Sequence, residues 1–311
     1  MPLTIHKSSY RTGVKNVKAF IHSRRFVIFL FLLPAAFFCI LYLVAPIPIS
    51  AYYSFFDWRG INQGRFIGWE NWKRLINDRV FWLSVKNNFK LVFFSLITQI
   101  PIGLVLAALL SSRLKGSRIF KVIFFIPMLI SSVAVAFLWR YMYDPYFGLI
   151  NSFFRLIGLE RFALDWLGDP AVAFYSVVVA TCWQYIPLYM IIFMAGITSI
   201  PEELYEAAKI DGATSLQSFW RITIPLLWPT IVNAAVLVIV GSLKYFALIF
   251  ALTGGGPNHA SEVMATYMYV KAFTEMRMGY GSTISFSLFT IAFAVSVFFL
   301  YITNLRKKSR W

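Results

Sequence analysis

The sequence predicts an all-α integral membrane protein with six spanning helices, on three observations. Hydrophobic residues make up 59% of the 311 and charged residues only 14%, with a mean hydropathy of +0.69. A soluble chain of this size needs far more polar surface. Six apolar stretches reach the roughly 20 residues that a bilayer core requires: 26–49, 88–110, 122–143, 173–197, 225–250 and 281–303. Lys and Arg, finally, are distributed unevenly between the alternate loops.

The first stretch follows a basic segment that ends at Arg25. It is too long for the apolar core of a cleaved signal, so it reads as an uncleaved signal-anchor helix. Pro34, Pro46, Pro101, Pro127 and Pro187 fall in or near the stretches, as membrane helices tolerate. Segments 1–25, 111–121, 198–224 and 304–311 together hold sixteen Lys and Arg and four acids, +12. Segments 57–85, 144–172 and 251–279 hold nine of each, net 0. The excess of basic residues on the first side predicts that both termini are cytoplasmic. With no internal repeat or low-complexity linker, the chain reads as one permeation domain over 26–305, flanked by basic cytoplasmic segments 1–25 and 306–311. Trp58, Trp69, Trp72, Trp82 and Trp166 fall in the outer loops; they suit an interfacial belt, or a surface that docks an external partner.

The formal charge of +16 fits basic loops against anionic lipid and does not call for nucleic acid. Cys39 and Cys182 lie inside apolar stretches, and His6, His22 and His259 are scattered, so neither a disulfide framework nor a metal site is expected. Motifs for nucleotide binding, zinc hydrolysis and nucleophilic hydrolysis are absent, and residues 254–256 read as a glycine turn. The chain is not expected to be an enzyme or to bind a cofactor itself. All 13 acids fall in loops. That weighs against the alternative of an ion-coupled secondary transporter of small polar solutes, which would place carboxylates within its spans.

The segment EELYEAAKIDGATSLQSFWRITIP, residues 202 to 225, is the polar exception between two apolar stretches. Pro201, Glu202 and Glu203 suit a helix start. Leu204, Ala207 and Ala208 share a face at i, i+3, i+4. Gly212 ends or bends this helix, and Ser215 is expected to cap a second short one. A polar connector would do as a bland account, although connectors are usually shorter and less patterned.

Glu206-Ala207-Ala208, Asp211-Gly212-Ala213 and Ile222-x-Ile224-Pro225 resemble the EAA loop, here 198–225, of ABC-type importer permeases. Ile224 replaces the usual Leu. Leu252-Thr253-Gly254-Gly255-Gly256-Pro257, Ile126-Pro127 and Trp183-Gln184 resemble sugar permeases of the maltose-permease type, and the likeness extends over about residues 26–305. It implies a type I ABC importer permease fold with a cytoplasmic coupling-helix loop, in a bacterial cell membrane. It also implies a second homologous permease subunit, two cytoplasmic ATPase subunits that bind ATP and Mg, and an extracellular solute-binding protein that delivers a saccharide. Glu206, Ala207, Ala208, Asp211 and Gly212 would couple to the ATPase.

The same likeness places Thr181, Gln184, Tyr185 and Leu188 on one lining helix of the substrate path, with Val238, Gly241, Ser242 and Tyr245 on the other. Each set is also one helical face by spacing, and Tyr and Gln suit a sugar. A polar stripe of this kind equally serves helix packing. Lys244 is expected to be buried in the fifth span, with Arg140 near the outer end of the third. Charge within a membrane suggests function. An acidic oligosaccharide follows if both face the cavity; otherwise Lys244 pairs structurally and Arg140 snorkels to the headgroups.

Overall fold

The computed structural model describes residues 24–61, 63–111 and 116–308. The basic segment 1–25 and the tail 306–311 therefore lie largely outside the described residues. The chain divides into two compact units, residues 1–52 and 53–311.

The first unit is α1 (Arg24–Cys39), a π-helical turn (Ile40–Val44) and the start of α2 (Pro46–Tyr53). Pro46 cannot continue an i→i−4 ladder. The turn before it widens instead, so that the Ala45 N–H donates to Ile40 O at 2.8 Å. The described side chains here are apolar on every side and none is buried, as suits a helix surrounded by lipid or by another chain.

The second unit opens with a two-stranded hairpin, β1 (Phe56–Asp57) paired antiparallel with β2 (Arg65–Phe66). The short α3 (Glu70–Ile76) leads to α4 (Arg79–Ser111), 33 residues long. Asp78 caps α4, its Oδ1 accepting from the N–H of Val80 at 2.9 Å and of Phe81 at 3.2 Å. Its Oδ2 accepts from the hydroxyl of Tyr280 at 2.6 Å and from that of Tyr267. Burial alone would raise the pKa of Asp78, but the two hydroxyls and two amides outweigh it and hold the carboxyl below its ordinary value. A depressed carboxylate stabilises the fold above its unfolded pKa, and that contribution is lost as pH falls through the folded value. Thermal unfolding in detergent between about pH 5 and pH 3, spanning the ordinary value of about 3.9, should therefore show a steeper loss in wild type than in Asp78→Asn, which keeps a capping side chain. Parallel curves would remove Asp78 as a source of acid sensitivity.

The third expected span, 122–143, is two helices: α5 (Ser117–Leu129) and α6 (Ser132–Met142) meet at 100°. Ser131 caps α6, with its Oγ accepting from Ala134 N–H at 3.3 Å. Among the described residues five other helices are long and apolar enough to cross a membrane, and the bent pair makes up to six. Next come α7 (Leu149–Leu156), α8 (Ala173–Thr198), α9 (Glu202–Ile210) and α10 (Ser215–Ser218). A second π-helical turn (Phe219–Thr223) precedes Pro225 as the first precedes Pro46, again because the proline ring disrupts the regular turn. The expected fifth span, 225–250, is also divided. α11 (Ile224–Lys244) stops, Tyr245 turns extended at φ −60°, ψ 126°, and α12 (Ala247–Thr253) resumes. α13 (Met264–Tyr269) and α14 (Met278–Lys308) complete the chain.

The centre of this unit is α4 against α8, with α11 packed on both. A Cβ added to Gly103 would lie 3.0 Å from Tyr189 Cβ and 3.2 Å from Met190 N. Glycine thus permits close backbone approach where lipid provides no hydrophobic drive between helices.

Candidate functional site: a two-break polar centre and a surface helical turn

Each helix break frees backbone carbonyls that a bilayer cannot satisfy. An amide side chain from a neighbouring helix answers each one. Gln184 on α8 donates from Nε2 to Ile130 O at 3.2 Å and to Ser132 Oγ at 3.3 Å, across the α5–α6 bend. Asn88 on α4 donates from Nδ2 to Ser242 O and Leu243 O, both at 3.2 Å, where α11 ends. Its Oδ1 accepts the Met264 N–H at 2.8 Å, so one side chain joins α11 to α13. The adjacent Asn87 donates to Ala260 O at 3.0 Å and Glu262 O at 2.9 Å, fixing the loop after the glycine turn.

The second break directs Tyr245 towards α8. Its ring stacks on Tyr185 with centroids 4.9 Å apart and 29° between planes. Thr181, Gln184 and Ser242 are buried, and among the described residues Thr181 Oγ1, Gln184 Oε1 and Ser242 Oγ have no hydrogen-bond partner. Gly241 lies under the tyrosine, where an added Cβ would be 3.8 Å from Tyr245 Oη. The structure thus stacks the two predicted tyrosines and places unpaired polar atoms on both helices that carry them. Val238 is fully buried in an apolar cluster with Met190 and Phe193, against which Leu188 also packs; these two shape the wall and offer no polar group. Lys244 departs from expectation. It is the last residue of α11 and exposed in the chain, where a cation suits the negative helix end. Arg140, in the last turn of α6, is likewise exposed.

The polar segment 202–218 folds as two short helices. Gly212 has φ +78°. Behind it the Ala213 N–H donates to Ala208 O at 2.8 Å and the Gly212 N–H to Lys209 O at 3.1 Å, the two bonds of a Schellman end. The cap of α10 is Thr214 and not Ser215. Thr214 Oγ1 accepts from Gln217 N–H at 3.3 Å, and Gln217 Oε1 accepts from Thr214 N–H at 2.8 Å. Threonine can reach back to the N3 amide, and the glutamine three residues on closes the box. The Tyr205 hydroxyl is 2.9 Å from Thr223 Oγ1, tying α9 to the base of α11. Glu206, Ala207, Asp211 and Gly212 are exposed and Ala208 half-buried. Ile210 at 86% and Leu216 at 68% exposure flank Gly212. Two aliphatic side chains so exposed, on either side of a fixed turn, make an apolar knuckle on the surface.

The sequence reading passed over Asn87, Asn88 and Gln99 on α4, and Ile210 and Leu216 on the turn. Amides in a spanning stretch were the available signal for the first three.

The profile of the family described as "Binding-protein-dependent transport system inner membrane component" matches residues 99–308. The chain is 36% identical over 280 residues to the probable ABC transporter permease protein YurN of Bacillus subtilis, covering 89% of this chain and 96% of that one. It is 31% identical over 283 residues to the trehalose/maltose transport system permease protein MalF of Thermococcus litoralis, covering 90% and 94%. Its fold is similar to a chain of a bacterial ABC transporter involved in the import of the acidic polysaccharide alginate, with a TM-score of 0.79 at 24% identity, covering 94% of this chain and 98% of that one.

Proposed function

The chain belongs to the family of inner membrane components of binding-protein-dependent transport systems, and from that premise we propose that it forms half of a membrane path for a saccharide. Relatives that transport sugars by name, such as the trehalose/maltose permease of Thermococcus litoralis and the multiple sugar-binding transport system permease of Streptococcus mutans, support the substrate class. A solute-binding protein delivers the sugar from outside, a second permease supplies the other half of the path, and two ATPase subunits holding ATP and Mg drive the cycle. Both termini and the segment 198–225 face the cytoplasm, which follows the +12 charge of that side.

The observation that carries the substrate reading is the Tyr185–Tyr245 stack beside unpaired Thr181, Gln184 and Ser242. Aromatic rings cover the apolar faces of sugars, while amides and hydroxyls meet their hydroxyl groups. Such contacts must form and break as the halves rock, so each is individually modest. Gln184 has a double part, holding the α5–α6 break through Nε2 and leaving Oε1 for the ligand.

On the other surface, Ile210 and Leu216 seat in an ATPase cleft, with Ala207 and Ala208 permitting close approach. Glu206 and Asp211 offer carboxylates, and Gly212 holds the turn.

Tyr245→Ala removes a stacked ring and a hydroxyl. Import should fall several-fold or more, from about 0.5–1.5 kcal/mol for each lost neutral hydrogen bond plus the ring contact, with assembly on the ATPase retained. Wild-type import by Tyr245→Ala would refute the placement of the path.

A further inference from the structure

Helix α4 carries none of the path residues named above, yet it lays a polar stripe beside them. Asn88, Ser95 and Gln99 stand at i, i+7 and i+11 on one face, and each is 0% exposed. The Asn88 amide is fully engaged at the α11 break. That of Gln99 is not. Its Nε2 makes one long contact, 3.7 Å to Cys182 Sγ, and its amide lies beside the Tyr245 hydroxyl. Gln99 Oε1 has no partner, like Gln184 Oε1 on α8.

A buried amide oxygen without a donor is costly, so its retention calls for an occupant that supplies one. The two amide oxygens can only accept, while the hydroxyls of Thr181 and Ser242 adapt to either role. The two amide oxygens therefore call for donors. The O–H groups of a neutral sugar provide them. A carboxylate placed against these oxygens brings only acceptors, and among the described residues no Lys or Arg is buried beside them.

We propose that Gln99 contacts the substrate from a third helix, and that Gln99, Gln184, Thr181 and Ser242 together select neutral, hydroxyl-rich saccharides over uronates. The inference rests on Tyr185 and Tyr245 lining the path. It assigns α4 a part in recognition as well as in support.

The test uses the complete importer, with its binding protein, in proteoliposomes. The probes are maltotriose, cellotriose, mannotriose and xylotriose against trigalacturonate of the same length. Wild type should import neutral trisaccharides in preference to trigalacturonate. Gln99→Leu should lower import of the preferred trisaccharide about tenfold, the consequence of leaving a sugar hydroxyl unpaired in a dry site, at wild-type yield of assembled complex. If the Leu variant assembles poorly, Gln99→Met, with an unbranched side chain of similar length, takes its place. Preference for trigalacturonate would overturn the selection of neutral sugars, and unchanged import by the variant that assembles would overturn the role of Gln99. Tyr185→Ala, run alongside, separates the failures. If it too imports normally, the path itself is misplaced; if it alone is impaired, only the inference about Gln99 falls.

Discussion

Gly212→Pro should abolish coupled import while leaving the membrane-spanning part folded. Gly212 sits at φ +78°, and proline is fixed near −65°. The variant also loses the N–H that donates to Lys209 O. Together these cost about 3 kcal/mol or more, enough to unfold the end of α9 and disperse Ile210 and Leu216 from the docking knuckle. Import should fall at least tenfold, with substrate-stimulated ATP hydrolysis lost in parallel. A series separates conformation from contact. In the chain, an added Cβ at Gly212 meets nothing within 4 Å. Asparagine tolerates the left-handed region better than alanine, so Gly212→Asn should retain more import than Gly212→Ala. The reverse order would mean that the ATPase packs against this position and that size, not φ, is what glycine provides. Normal import and hydrolysis in Gly212→Pro would remove the turn from the coupling mechanism.

Asn88→Leu should have the second large effect, this time on the membrane part. The substitution strands Ser242 O, Leu243 O and Met264 N. A buried polar group deprived of its partner costs about 1–3 kcal/mol, so the sum is on the order of 3 kcal/mol or more. The apparent melting temperature of the purified complex should drop by more than it does for Asn87→Leu, which strands only the carbonyls of Ala260 and Glu262. Import should fall too, because the break that Asn88 fixes is the one that brings Tyr245 onto Tyr185. Equal melting temperatures for the two variants would mean that the α11 break holds without its amide.

The spans were legible because a bilayer imposes length and apolarity, and runs such as 173–197 satisfy both. The breaks were not. Ile130 and Ser131 at one, and Tyr245 and Phe246 at the other, sit in runs whose average stays apolar, and what defines each is a partner 54 or 154 residues away in sequence. The start of α4 at Arg79 was missed for the opposite reason, since its first turns carry Arg79 and Lys86 and stand outside the apolar run. On the polar turn, Gly212 is readable from its setting, whereas Thr214 and Ser215 both suit a cap by residue type and only the glutamine at 217 decides for Thr214. Lys244 was read as buried because it continues an apolar run; the helix ends on it instead and leaves it exposed. The stack of Tyr185 on Tyr245 joined two predicted faces, but no one-dimensional pattern indicates that α11 must stop at Lys244 for it to form.

The central claim is that this chain is one half of an ATP-driven, binding-protein-dependent sugar path. The most direct measurement is accumulation of labelled saccharide in proteoliposomes that hold this chain, its partner permease and the ATPase. The binding protein is placed on the outer face and ATP on the cytoplasmic face. The account predicts accumulation that requires both and that survives collapse of the proton and sodium gradients. Accumulation that continues without ATP and stops when those gradients are dissipated would contradict it.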